Sequence, residues 1–213
     1  MRSDRGSRMT TLLLCCGVLV GPLYLLVGVS QGLVRDGFSF ARHPLSVLAN
    51  GQYGWIQTAN FAITGLMVIA AAGGIKRLLG PKSRLLAGFL GAYGAAVFLA
   101  SFFPADPVDG FPPGTPLGMP TSISKAGLIH FACGGLAFAC LTISGFAGAW
   151  TFLRRKMLLL SILSLVSGLT VAIGFFGGLA LPIGIIGIWI AVVVGWVWLS
   201  VVCWHLQHSA AAK

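Results

Sequence analysis

His43, Ser46, Asp106 and His130 are the side chains of this sequence best suited to move a proton, attack an electrophile or hold a cation. Two imidazoles with a carboxylate would suit a divalent metal such as zinc, with His43, Asp106 and His130 as its ligands. The same groups could act without metal, as a general acid/base pair beside the Ser46 hydroxyl. Arg42, Gln57, Asn60 and Asp109 are the candidates for holding a substrate around them. Plainer uses compete with each of these roles. A neutral imidazole at His130 could simply bond a neighbouring helix, and Asp-Pro and Asp-Gly, as at Asp106 and Asp109, are ordinary turn pairs. Arg35 and Arg42 could snorkel toward headgroups, bind an anionic lipid or form an internal Arg–Asp pair.

These residues are scattered over four segments, so the chemistry depends on the elements that gather them. Of 213 residues, 57% are hydrophobic and 8% charged, against about 25% charged in an ordinary soluble domain. The mean hydropathy is +0.93. A soluble globular protein is excluded. The formal charge of +10 comes with no Glu at all, which makes a nucleic-acid surface a poor account of the excess and assigns it to membrane topology.

A spanning helix needs about 20 mostly apolar residues. Six stretches qualify, approximately 9–34, 55–75, 85–104, 126–152, 157–180 and 182–204. All must be helices, because hydrocarbon offers no partner to backbone N–H and C=O groups and no stretch alternates with a barrel's period of two. The expected architecture is therefore all-α: one six-helix transmembrane bundle filling the whole chain, with no soluble domain. Eleven of the 14 Lys and Arg residues fall before the first span, in the 76–84 and 154–156 links, or at Lys213. The positive-inside rule makes that side cytoplasmic and puts both termini there, in a cell (inner) membrane.

The basic, apolar N-terminus invites a signal-peptide reading, but its apolar run exceeds the 7–15 residues of such a segment and lacks a clear small-x-small cleavage site. It reads as a retained first helix. The five cysteines lie inside spans without a C-x-x-C pattern and read as small packing residues. Gly17/Gly21 and Gly174/Gly178 have the small-xxx-small spacing of close helix seams within the bundle. Trp55, Trp150 and Trp204 sit at span ends, where an amphipathic ring suits the headgroup layer.

Most of the polar groups collect at the outer end. The first outer segment, 35–54, carries His43 and Ser46; the second, 105–125, carries Asp106 and Asp109 in a Pro- and Gly-rich run; His130 lies about one turn into the fourth helix. Gln57, Asn60 and Thr64 share one helical face, which should turn to the bundle interior. An ionisable group at membrane depth is costly, which singles out His130. His205 and His208 read as a solvated helix end, and haem ligation by paired membrane histidines fails because only His130 is clearly in a span.

The runs HPLS at 43–46, GWIQTANFAITG at 54–65, FFPADP at 102–107 and GLIH at 127–130 together resemble the integral membrane proteins grouped as domain of unknown function 998. The resemblance extends from the first helix through the fourth. It implies a six-helix bacterial or archaeal membrane protein of unestablished activity, whose matching polar positions are His43, Ser46, Gln57, Asn60, Asp106 and His130. The polar Gln/Glu-Arg pair that opens the last helix in the family pattern has no counterpart in 180–187 here.

Two functional readings follow. One is a protein that binds or acts on a lipid or isoprenoid-like substrate in an outward-facing polar pocket partly closed by the 106–120 loop. The other is a non-catalytic small transporter, lipid-binding factor or subunit organising a membrane protein partner. Membrane lipids are the expected partners in either case. Scarce ionisable groups in the inner halves of the helices argue against an ion-coupled path.

Overall fold

Each helix follows an apolar run and stops where the sequence withdraws the means to continue. The computed structural model describes residues 2–180 and 184–211, with side chains described over 6–179 and 184–209. Six long helices result: α1 (Arg2–Val34), α2 (Gly54–Leu79), α3 (Arg84–Ala100), α4 (Lys125–Leu153), α5 (Leu158–Ala172) and α6 (Gly184–Ala211). Among the described residues, six helices are long and apolar enough to cross a membrane.

The ends have local causes. Gly80, at φ +71°, turns the chain out of α2, and Pro81 opens a short 3-10 turn, Pro81–Ser83, that leads into α3. Helix α3 stops at Ala100 rather than at the expected Pro104, because the residue before a proline is pushed out of helical conformation. Ser124 starts α4 by accepting the Gly127 N–H at 2.9 Å. Helix α5 does not run unbroken to residue 180: Ile173–Gly177 forms a π turn, followed by one helical turn at Gly178–Ala180. The expected start of the last helix at Pro182 lies outside the described residues, as does Lys213.

Successive helices pack side by side, and α6 packs on both α5 and α1, so the six close into a ring. Small residues let the ring close. A Cβ on Gly21 would stand 2.6 Å from Ser200 Oγ and 2.7 Å from the Trp196 carbonyl oxygen, and one on Gly17 would overlap Cys203. Gly174 and Gly178 likewise face the α6 backbone at Gly187 and Gly184. Both glycine pairs are seams inside the bundle, because close backbone approach is what holds helices together where lipid competes for apolar surface. Trp55, Trp150 and Trp204 are exposed at the span ends as expected.

The two halves of the ring differ. Toward the termini α6 fills the centre with Trp198, Leu199, Val202, Cys203 and Leu206, all buried, and Trp198 Nε1 donates to Ser164 Oγ of α5 at 2.9 Å. Arg155 donates to the Leu79 carbonyl and ties the α4–α5 turn to the end of α2. Toward the other end the helices stand apart, and the connections 35–53 and 101–124 cover the opening. That second half holds the polar residues.

Candidate functional site

The two long connections lock into one cap, and His43 is its pin. The side chain is 0% exposed. Its Nδ1 accepts the Ser39 N–H at 2.9 Å, so Nε2 carries the proton and donates to the Asp109 carbonyl at 3.1 Å. Phe38 and Phe111 pack on the ring, and the His43 carbonyl accepts from Trp189 Nε1 of α6 at 3.2 Å. Both ring nitrogens are therefore spent on backbone. Asp109 is the matching half of the latch: at φ 48° it accepts the Gly118 N–H on Oδ1, donates its own N–H to the Gly118 carbonyl, and places Oδ2 3.6 Å from Arg42.

Arg35 braces the same cap. Its guanidinium donates to the Leu48 and Asn50 carbonyls, each at 2.5 Å, and stacks over Phe111 at 4.8 Å. Burial pulls its pKa below the ordinary arginine value, and the two carbonyls together with the ring face offset that desolvation cost. Asn50 Nδ2 adds a bond to the Ala105 carbonyl at 2.9 Å, joining one connection to the other.

Below the cap lies a cavity of about 580 Å³ enclosed by the open half of the ring. Arg42, Ser46, Asp106 and His130 line its rim, Met119, Pro120 and Ile123 of the second connection border it, and the remaining walls are largely apolar. Along α4 the lining runs from His130 to Leu141, a depth of roughly 16 Å at 1.5 Å per residue. Tyr24, Tyr93 and Trp196 form the floor, with the Tyr24 and Trp196 rings stacked at 4.6 Å and Tyr93 5.6 Å from Trp196. Phe131 and Leu179 line the cavity and are also each 54% exposed. Both lie on the side of the cavity between α4 and the turns that follow α5. Phe138 and Phe175 stack at 3.9 Å in the same stretch of wall.

His130, 8% exposed, is the imidazole on this cavity. Its Nδ1 lies 2.7 Å from the Phe103 carbonyl. A carbonyl can only accept, so Nδ1 is the donor, and in the neutral ring Nε2 carries the lone pair. Nε2 has no hydrogen-bond partner among the described residues. Asp106 is beside it in the same rim: one carboxylate oxygen accepts the Ser124 N–H at 3.0 Å, at the N-terminus of α4, and Gly127 leaves room for the carboxylate.

Gln57 and Asn60 lie elsewhere. Gln57 Oε1 accepts from Gln31 Nε2 at 3.0 Å and from Asn60 Nδ2 at 3.3 Å, forming a buried amide cluster between α1 and α2. The expected inward-facing stripe exists, and Thr64 bonds back to the Asn60 carbonyl, but these amides do not border the cavity. Gln31 was missed by sequence reasoning; its position in the last turn of α1, level with the first turns of α2, is the signal that could have found it. Tyr24, Tyr93 and Trp196 had none, since aromatic residues in apolar helices are ordinary.

The expected metal set does not assemble. Among the described residues no group of three or more His, Cys, Asp or Glu side chains is placed to hold a metal ion. His43 is engaged in the cap at both nitrogens, while Asp106 and His130 border the cavity without it. Of the residues expected to form a site, the structure gathers Arg42, Ser46, Asp106 and His130, and assigns His43 and Asp109 to the latch that covers them.

Six apolar helices and an interior with one polar rim define an all-α, multi-pass membrane protein. The chain belongs to the family described as protein of unknown function DUF998, whose sequence profile matches residues 18–205. No curated protein and no solved structure matches it.

Proposed function

We propose that this protein binds one lipid or isoprenoid-like molecule inside the ring of helices, with the apolar part in the shaft and the polar end at Arg42, Ser46, Asp106 and His130. The observation that carries this is the cavity's division into a polar rim and a largely apolar, aromatic-floored shaft. Its volume is of the size that takes a drug-sized ligand, which suits a single chain and not a two-chain phospholipid. The basic links of the termini side put the rim on the outer face of the membrane by the positive-inside rule. His130 supplies a base at the rim without metal, so proton transfer to or from a bound group is within its reach.

Photo-crosslinking with a diazirine-bearing single-chain lipid tests the reading. Labelled peptides are expected to include Phe61, Ala137 or Trp196, which face inward. Labelling confined to the outward stripe Leu12, Leu19, Leu26 and Leu33, all exposed, would show only annular lipid and overturn it.

A further inference from the structure

We propose that the polar end of the bound molecule is a neutral hydroxyl, so that the cavity selects a long-chain or isoprenoid alcohol over its phosphate, its amine and the bare hydrocarbon. This rests on the cavity being an amphiphile site and adds the headgroup class.

The rim presents acceptors in excess of free positive charge. His130 Nδ1 is held on the Phe103 carbonyl at 2.7 Å, which leaves the Nε2 lone pair without a protein partner. The Asp106 carboxylate uses one oxygen on Ser124 N–H and leaves the other without a hydrogen-bond partner among the described residues. An O–H from the ligand satisfies the imidazole, and its oxygen remains able to accept from a hydroxyl such as that of Ser46, which also lines the cavity.

A phosphate fares worse. Arg42 is the one Lys or Arg among the described lining residues, and it is already engaged by Asp109, with Nη1 3.1 Å from the carbonyl and 3.6 Å from the carboxylate. A dianion would meet the Asp106 charge with only an Arg42 guanidinium that Asp109 already shares to offset it. An ammonium gains less than the carboxylate suggests, because the N-terminus of α4 already stabilises Asp106. A hydrocarbon leaves His130 Nε2 without the hydrogen bond that a hydroxyl supplies.

The test uses full-length protein in lipid nanodiscs and competition of four probes: geranylgeraniol, geranylgeranyl monophosphate, geranylgeranylamine and the corresponding tetraprenyl hydrocarbon. Bound probe is read by native mass spectrometry. The alcohol is expected to bind at least about tenfold tighter than each of the others, the equivalent of one hydrogen bond of about 1.4 kcal/mol. His130→Phe should bring alcohol and hydrocarbon to similar affinity while the hydrocarbon still binds. Phosphate, amine or hydrocarbon matching the wild-type alcohol would overturn the hydroxyl inference and leave the cavity reading standing. Binding of none of the four would remove the cavity reading itself. Because the wild-type series decides the matter, the outcome does not depend on whether His130→Phe folds.

Discussion

Replacing Gly134 by tryptophan should empty the cavity without unfolding the bundle. Gly134 lines the cavity from α4, and a Cβ built there meets nothing within 4 Å. The first atom of the new side chain therefore costs no clash, and losing a helix-interior glycine is worth about 0.5–1 kcal/mol in stability. An aromatic side chain buries roughly 150–250 Å². If about 100 Å² of that area replaces wall contacts of the ligand, the loss is about 2.5 kcal/mol at about 25 cal/mol/Å², on the order of 50-fold in affinity. The assay is the amount of lipid retained per protein after purification in mild detergent, beside thermal unfolding of both forms. Gly134→Ala is the control, with retention unchanged. Equal lipid retention by folded Gly134→Trp protein would refute the argument that the ligand occupies this space.

Cys133, half-buried on the same wall, should react with a small thiol reagent more slowly when ligand is bound, measured in a protein whose other four cysteines are alanine; a rate unaffected by saturating ligand would place the ligand elsewhere. His43→Ala leaves the Ser39 N–H without its partner, at about 1–3 kcal/mol, and the Asp109 carbonyl with Arg42 alone, so limited proteolysis within 106–118 should accelerate while far-UV dichroism holds. Unchanged cleavage would remove His43 from the role of pin. Gly21→Val forces atoms into Ser200 and Trp196 and should lower the unfolding temperature through an overpacking cost of about 1–3 kcal/mol. Gly88→Ala, with nothing within 4 Å, should not lower it.

The membrane class, six spans and helix seams were legible along the chain because each depends on local or periodic information. A run of apolar residues must be helical in hydrocarbon wherever it ends up, and Gly17 with Gly21 marks a close approach whatever the partner helix. The ends of the spans were less legible: α3 stops short of Pro104, and nothing in the Gly- and Phe-rich stretch 173–177 announces a π turn. Such turns depend on which backbone lies alongside, here α6 at Gly187 and Ala191.

The candidate site divides in the same way. Composition and topology placed His43, Ser46, Asp106 and His130 at one end of the bundle, because the two long connections on that side have nowhere else to go. Which of them border a shared space was a matter of tertiary structure. His43 looks as chemical as His130 when read as a residue type, yet backbone partners at Ser39 and Asp109 consume both its nitrogens, whereas His130 commits Nδ1 to the Phe103 carbonyl and has no hydrogen-bond partner at Nε2 among the described residues. Hydrogen-bond supply is a property of neighbours far apart in sequence, and so is a cavity, which is lined by residues of α1 to α4, of the turns that follow α5, of α6 and of both connections. The chain alone determined that polar groups would collect at one end of a membrane bundle; only the packed helices decided which of them retain a free lone pair facing a space that a ligand can enter.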